Sequence, residues 1–130
     1  MIVLDASVLI AHFEPSDAHH ARAGKLLLDN AEHEFWANTI TLAEFLVGPT
    51  RSGLADTARK GIADLQIIAH EISADSWPSL ALLRTSTGRK MPDCCVLYTA
   101  VELGPDVAKV ATFDDALAAS AKKLGIGVAR

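Results

Sequence analysis

The chain has 130 residues, half of them hydrophobic and 22% charged, with a formal net charge of −4. That length and composition exclude a disordered chain and a pair of independent domains, leaving one domain over residues 1–130 with a sizeable core. The acidic balance excludes broad, non-specific attraction to nucleic acid, which rests on a strongly basic surface; a cation-binding acidic cluster would add to the same sum and reverse it locally.

No apolar stretch reaches bilayer-spanning length, and Asp5 stands where a signal peptide would carry its basic end. The protein is therefore expected to be intracellular, in the cytoplasm, with no membrane partner. The only cysteines, Cys94 and Cys95, are adjacent, a spacing awkward for a mutual bridge. They fit a reducing compartment and read as two small buried thiols.

In chain order, "IVLD" reads as a short buried strand followed by helices over 6–13 and 18–29. "EFWAN" is the second strand, followed by helices over 41–48 and 54–64. "LQIIAHEI" is the third strand, with helices over 75–87 and 93–103 behind it. "KVATF" is the fourth, leading into a helix over 114–124, and "IGVAR" holds a small fifth strand. The 114–124 helix is the best defined: Leu117, Ala121 and Leu124 share a face, Lys122 and Lys123 occupy the last turn, and Gly125 stops it. Apolar strands alternating with helices predict an α/β, doubly wound, mainly parallel sheet covered on both faces. Sites in such sheets form outside the carboxyl ends of the strands.

Four carboxylates fall at that edge or in the first turn of an apolar helix. Asp5 closes "IVLD", Asp114 follows "KVATF", Glu44 lies in "NTITLAEFLVG" and Asp93 in "RKMPDCCVLYTA". Each has a structural explanation when taken singly. Asp5 and Asp114 are natural helix caps, Thr41 and Glu44 fit the capping box S/T-x-x-E, and Asp93 complements the positive end of a helix begun by Pro92. Taken together they have not, because like charges 4 Å apart repel by roughly 4 kcal/mol at an effective dielectric near 20, whereas a cap returns only about 1 kcal/mol. A divalent cation offsets that repulsion. All-oxygen ligands select Mg²⁺ or Mn²⁺ over zinc, and His12, His19, His20, His33 and His70 make no zinc pattern. An all-carboxylate metal site suits phosphodiester hydrolysis, since the cation activates water and stabilises phosphoryl charge.

The ordered motifs "MIVLDASVLI", "TITLAEFLVG", "RKMPDCCVLYTAVELG" and "VATFDDALA" span nearly the whole chain. Together they resemble the PIN-domain ribonucleases, particularly the VapC-type toxins of prokaryotic toxin–antitoxin pairs. The resemblance implies a five-stranded sheet ordered 3-2-1-4-5, a homodimer, Mg²⁺- or Mn²⁺-dependent endonucleolytic cleavage of RNA, and a cognate antitoxin occupying the acidic cleft. It makes Asp5, Glu44, Asp93 and Asp114 the catalytic metal ligands. Ser7 and Thr112 match the family's hydroxyl positions, which orient carboxylates, although hydrogen bonding at a helix start explains them equally well. Of the two aspartates in "FDDAL" the family register selects Asp114, with Asp115 either supporting it or complementing the helix N-terminus.

Arg89 and Lys90, just before Asp93, are candidate phosphate contacts against a bland background of solvated surface that also accounts for Arg51, Arg59 and Lys60. Trp36 and Trp77 are expected in the core, Trp77 by sharing a helical face with Leu80 and Ala81. His19 and His20 are expected on an amphipathic helix away from the carboxylates. Two rival functions are a non-catalytic PIN-like scaffold for a partner protein or RNA, and a phosphoacceptor receiver domain. The second wants paired acids after the first strand and a lysine after a late one, and "LDAS" and "VATFDD" supply neither.

Overall fold

The computed structural model describes residues 1–129. Strands β1 (Ile2–Leu4), β2 (Phe35–Asn38), β3 (Ile68–His70), β4 (Lys109–Ala111) and β5 (Gly127–Val128) form one sheet, ordered β3-β2-β1-β4-β5. All its pairings are parallel. Seven helices connect them among the described residues: α1 (Ala6–Phe13), α2 (His20–Asp29), α3 (Thr39–Arg51), α4 (Ala55–Asp64), α5 (Trp77–Thr87), α6 (Met91–Leu103) and α7 (Asp115–Lys123). The expected doubly wound α/β architecture and strand order are both present.

Alternation along β1 divides the core. Ile2 and Leu4 face a layer built from α1 to α4, with Val8, Leu9, Leu26 and Phe45. Val3 faces the opposite way, into a layer with Val96, Leu97, Val110, Leu117 and Ile126. Because β1 is central and covered on both sides, all three of its side chains are buried. Helix α6 is buried from Cys94 through Ala100, and the two free thiols sit in that run as expected.

Several expected boundaries shift for local reasons. Helix α3 begins at Thr39, two residues before the expected start, because the Asn38 side chain at the end of β2 accepts the Thr41 N–H at 2.8 Å. The capping box is therefore not formed, and Glu44 lies in the second turn with no capping duty. The third strand shrinks from "LQIIAHEI" to Ile68–His70. Gln66 takes a φ of 55°, so the chain turns there, and Leu65 and Ile67 pack against the core from the connection.

Helix α5 runs over 77–87 and turns Ser76, Leu80, Leu83 and Thr87 inward. Trp77 lies about 100° around from Ser76 at helical spacing and is 73% exposed, so it is not a core residue. Trp36 is half-buried and packs on the α6 side. Gly125 ends the last helix at a φ of 76°, the left-handed stop its position predicts.

Gly61 fixes how closely α4 approaches α1. A Cβ there would stand 2.3 Å from Cε1 of Phe13, whose ring already packs on Phe45 with centroids 5.1 Å apart. Gly24 in α2 has open space instead. Gly24→Ala should raise stability by about 0.5–1 kcal/mol through helix propensity, and Gly61→Ala should lower it by about 1 kcal/mol net, overpacking outweighing the same gain. Thermal melts of the two variants should move in opposite directions.

Candidate active site

Asp5 follows β1 at the carboxyl edge of the sheet, with its N–H donating to Ala111 O at 2.9 Å to extend the β4 pairing. It occupies the N-cap position of α1, yet its side chain makes no capping bond. Its Oδ2 instead accepts two hydroxyl hydrogen bonds, from Ser7 Oγ and Thr112 Oγ1, each 2.7 Å. Those hydroxyls are themselves fixed: the Phe113 N–H donates to Ser7 Oγ at 3.1 Å, and the Asp114 N–H donates to Thr112 Oγ1 at 3.0 Å. Asp5 is only 8% exposed, so this network answers most of the demand that burial places on a carboxylate. Its Oδ1 receives no hydrogen bond among the described residues.

Asp114 caps α7, its Oδ1 accepting the N–H groups of Ala116 and Leu117 at 2.9 and 3.1 Å. Its other oxygen carries no such duty. Asp115, next in the chain, is exposed in the first turn of α7. Asp93 lies in the first turn of α6, and Arg89 Nη1 stands 3.9 Å from its Oδ2. Arg89 is held by its own backbone: Arg84 Nη1 donates to both Gly88 O and Arg89 O at 2.8 Å, and the Arg89 N–H donates to Thr87 Oγ1 at 3.1 Å. Lys90 is exposed at the N-cap position of α6.

Two of the four carboxylates, Glu44 and Asp93, feel the charge of the others. Burial raises the Asp93 carboxyl above the ordinary aspartate range first, then the charges of Asp5 and Asp114 add to the rise, against Arg89 and Lys90. Glu44 is raised first by desolvation, although the residue as a whole is exposed, and then by Asp5 and Asp93. The set is close enough to repel without being closed around an ion. Among the described residues no group of three His, Cys, Asp or Glu side chains is already spaced to hold a metal.

The chain matches a family model for the PIN domain over residues 2–123. The chain belongs to the PIN domain family. A comparison with curated proteins finds no match for it. Among solved structures, this PIN domain is similar to VapC20 from Mycobacterium tuberculosis, a toxin described as cleaving the sarcin–ricin loop. The identity is 19%, the TM-score 0.74, and the match covers 92% of this chain and 95% of that one. It is also similar to a toxin–antitoxin complex from Klebsiella pneumoniae at 21% identity and TM-score 0.69, over 88% and 87% of the two chains. FitAcB from Neisseria gonorrhoeae matches at 20% identity and TM-score 0.70, over 100% and 97%. At such identities the likeness is one of fold.

Three features of the PIN domain's site escaped the sequence. Asn38 is fully buried, and continuing the register of Val3 opposite Trp36 sets it beside Asp5; its Nδ2 has no hydrogen-bond partner among the described residues. Glu44, with Glu14, Lys60 and Asp64, lines a groove of about 670 Å³ whose apolar wall is Phe13, Phe45, Pro49 and Leu54 from α1, α3 and the start of α4. His19 is not remote from the carboxylates, because its ring lies 4.9 Å from that of Phe113, between Thr112 and Asp114. Its neighbour His20 is structural, its Nδ1 2.8 Å from Ala11 O in the last turn of α1. Only the buried asparagine at a strand end carried a signal that could have been read.

The raised Glu44 carboxyl fixes the sign of a stability effect. Between its ordinary and its raised value the folded chain holds more protons than the unfolded one, so stability falls as pH rises through that window. Glu44→Gln should therefore raise Tm at pH 7, by about 1–3 °C once solvent screening is allowed for. The gain should vanish well below pH 4.5, the ordinary glutamate value, where the parent carboxyl is protonated too. Melts of both proteins across that range check it.

Proposed function

We propose that this PIN domain is a divalent-cation-dependent endoribonuclease and the toxin of a toxin–antitoxin pair, with Asp5, Glu44, Asp93 and Asp114 as its catalytic metal ligands. The observation that carries the reading is that Glu44 and Asp93 are both raised, by burial first and then by neighbouring carboxylates, Asp5 and Asp93 for Glu44 and Asp5 and Asp114 for Asp93, an arrangement that costs stability until a cation enters. The donor set fits Mg²⁺ or Mn²⁺, being composed of hard oxygens, with one oxygen of Asp5 and one of Asp114 uncommitted. When bound, such an ion supplies activated water near neutral pH and stabilises charge on the phosphoryl oxygens.

The chain's own residues do the positioning. Ser7 and Thr112 lock one oxygen of Asp5, so its other oxygen has a single direction in which to act. Asp115 complements the α7 N-terminus beside Asp114 and supports it there. Arg89 offers its guanidinium to the phosphate of the RNA strand, with Lys90 beside it; Arg84 fixes the loop that presents both.

The toxin reading draws on the VapC20 and Klebsiella neighbours, and it gives the apolar groove an occupant. An antitoxin segment with apolar side chains along Phe13, Phe45 and Leu54 reaches Glu44 at the rim and obstructs the acidic cleft. A second copy of the chain is the other partner, a homodimer being part of the same proposal. An adjacent open reading frame encoding a small protein with a DNA-binding half would support this pairing.

The direct test is incubation of the purified protein with total RNA, with Mn²⁺ or with a chelator. The expected result is internal cleavage with Mn²⁺ alone, reduced roughly 100-fold or more in Asp93→Asn, the scale of losing one preorganised charge at a reacting centre. Thr112→Val, which frees Asp5, should lose about 10–100-fold. Circular dichroism should show all three proteins folded. Intact RNA with the parent and Mn²⁺ would leave the non-catalytic scaffold instead, and full cleavage by Asp93→Asn would remove the ligand assignment.

A further inference from the structure

We propose that Arg22 on α2 is a phosphate-binding residue of a second RNA subsite, on the α2–α7 flank of the carboxylates, with Phe113 as the platform that holds it. The proposal rests on the ribonuclease reading for the identity of the ligand. A PIN domain with a net charge of −4 repels a polyanion, and Asp5, Asp93 and Asp114 add to that beside the sheet edge, so fixed cations nearby are needed to hold the strand. Arg89 and Lys90 serve the side of α6. Arg22 serves the side of α2.

Phe113 cannot drift. Its N–H is tied to Ser7 Oγ, Thr112 before it is bonded to Asp5, and Asp114 after it caps α7. Its ring is half-buried, and the Arg22 guanidinium carbon lies 4.7 Å from the ring centroid. His19, one helical turn before Arg22, contacts the same ring. Stacking on an aromatic face restrains the guanidinium while leaving its in-plane N–H groups available, the geometry suited to paired contacts with phosphate oxygens. Arg22 is exposed and makes no ion pair with any carboxylate of the described residues, whereas Lys25, nearby on α2, is committed to Asp29.

A pocket of about 240 Å³ opens between these elements, lined in part by Arg22, Lys25, Asp29, Thr112, Asp115 and Val128. Thr112 belongs both to this pocket and to the Asp5 network, so the pocket adjoins that carboxylate. The proposal lays one phosphate of the strand at the carboxylates and a neighbouring phosphate at Arg22. Asp115 is the one uncompensated carboxylate in the lining, which predicts opposite effects for the two charges.

The test measures binding of a short fluorescein-labelled single-stranded RNA by anisotropy, in Mg²⁺ and in a Glu44→Gln background, across a salt series. Arg22→Gln should weaken binding about 5–10-fold whatever the RNA sequence, and should reduce the slope of log K against log salt by about 0.7, the single-strand value for one phosphate contact. Arg22→Lys should keep the slope while losing part of the affinity. Asp115→Asn should tighten binding. An Arg22→Gln variant with unchanged affinity and slope overturns the proposal, as does a loss shared equally by Arg22→Gln and Arg22→Lys with a fall in Tm, which would make Arg22 only packing for Phe113. The two readings fail separately. A parent that cuts RNA but shows no Arg22-dependent slope sinks this inference alone, and an Arg22-dependent slope in a parent that cuts nothing sinks only the nuclease.

Discussion

Two hydroxyl groups on one oxygen of Asp5 hold the working edge of this protein together. Ser7 reaches it from the first turn of α1 and Thr112 from the end of β4, so a single carboxylate joins segments more than a hundred residues apart in the chain. Because Phe113 and Asp114 hang on those same hydroxyls through their backbone N–H groups, the whole junction from β4 into α7 takes its position from Asp5. Parallel pairing of β1 with β4 makes this possible by setting Leu4 against Ala111. A buried charge that would otherwise be a liability becomes the reference point for the others.

What that reference point organises is a set of like charges without a counter-charge of matching size. Arg89 meets Asp93 at 3.9 Å and relieves it only in part; Glu44 has no cation beside it among its perturbing charges. Glu44 also lines the groove between α1, α3 and α4, and Thr112, bonded to Asp5, lines the pocket beside Arg22. These two cavities are differently built. The groove has an apolar wall of Phe13, Phe45 and Leu54, and the pocket sets Arg22 and a Lys25–Asp29 pair beside Asp115.

Much of this was legible from residue order. The apolar strands, the alternation with helices and the Gly125 stop predict the layered architecture that is present; the same reading sets Asp5 and Asp114 after strands and Glu44 and Asp93 in the first turn of apolar helices, which holds for Asp93 while Glu44 lies in the second turn of α3. The strand order came from the family resemblance. The failures have local causes. "TLAE" has the form of a capping box, but Asn38 reaches the Thr41 N–H first and starts the helix earlier. Trp77 was placed on a face drawn through Leu80 and Ala81, whereas the inward stripe of α5 runs through Leu80, Leu83 and Thr87. The contact of Arg22 and His19 with Phe113 could not be read at all, because it joins α2 to the β4–α7 junction and has no periodicity to announce it.

The proposed nuclease requires the carboxylates to form one cation site rather than four separate helix-end charges. Electron paramagnetic resonance of free Mn²⁺ measures this without reference to catalysis, since the signal falls as the ion is bound. Titration of the parent should remove Mn²⁺ saturably, and Asp5→Asn should weaken that binding severely even though Asp5 lies on a different element from Glu44, Asp93 and Asp114. Mn²⁺ that stays free in the presence of the parent, or binds Asp5→Asn equally well, would contradict it.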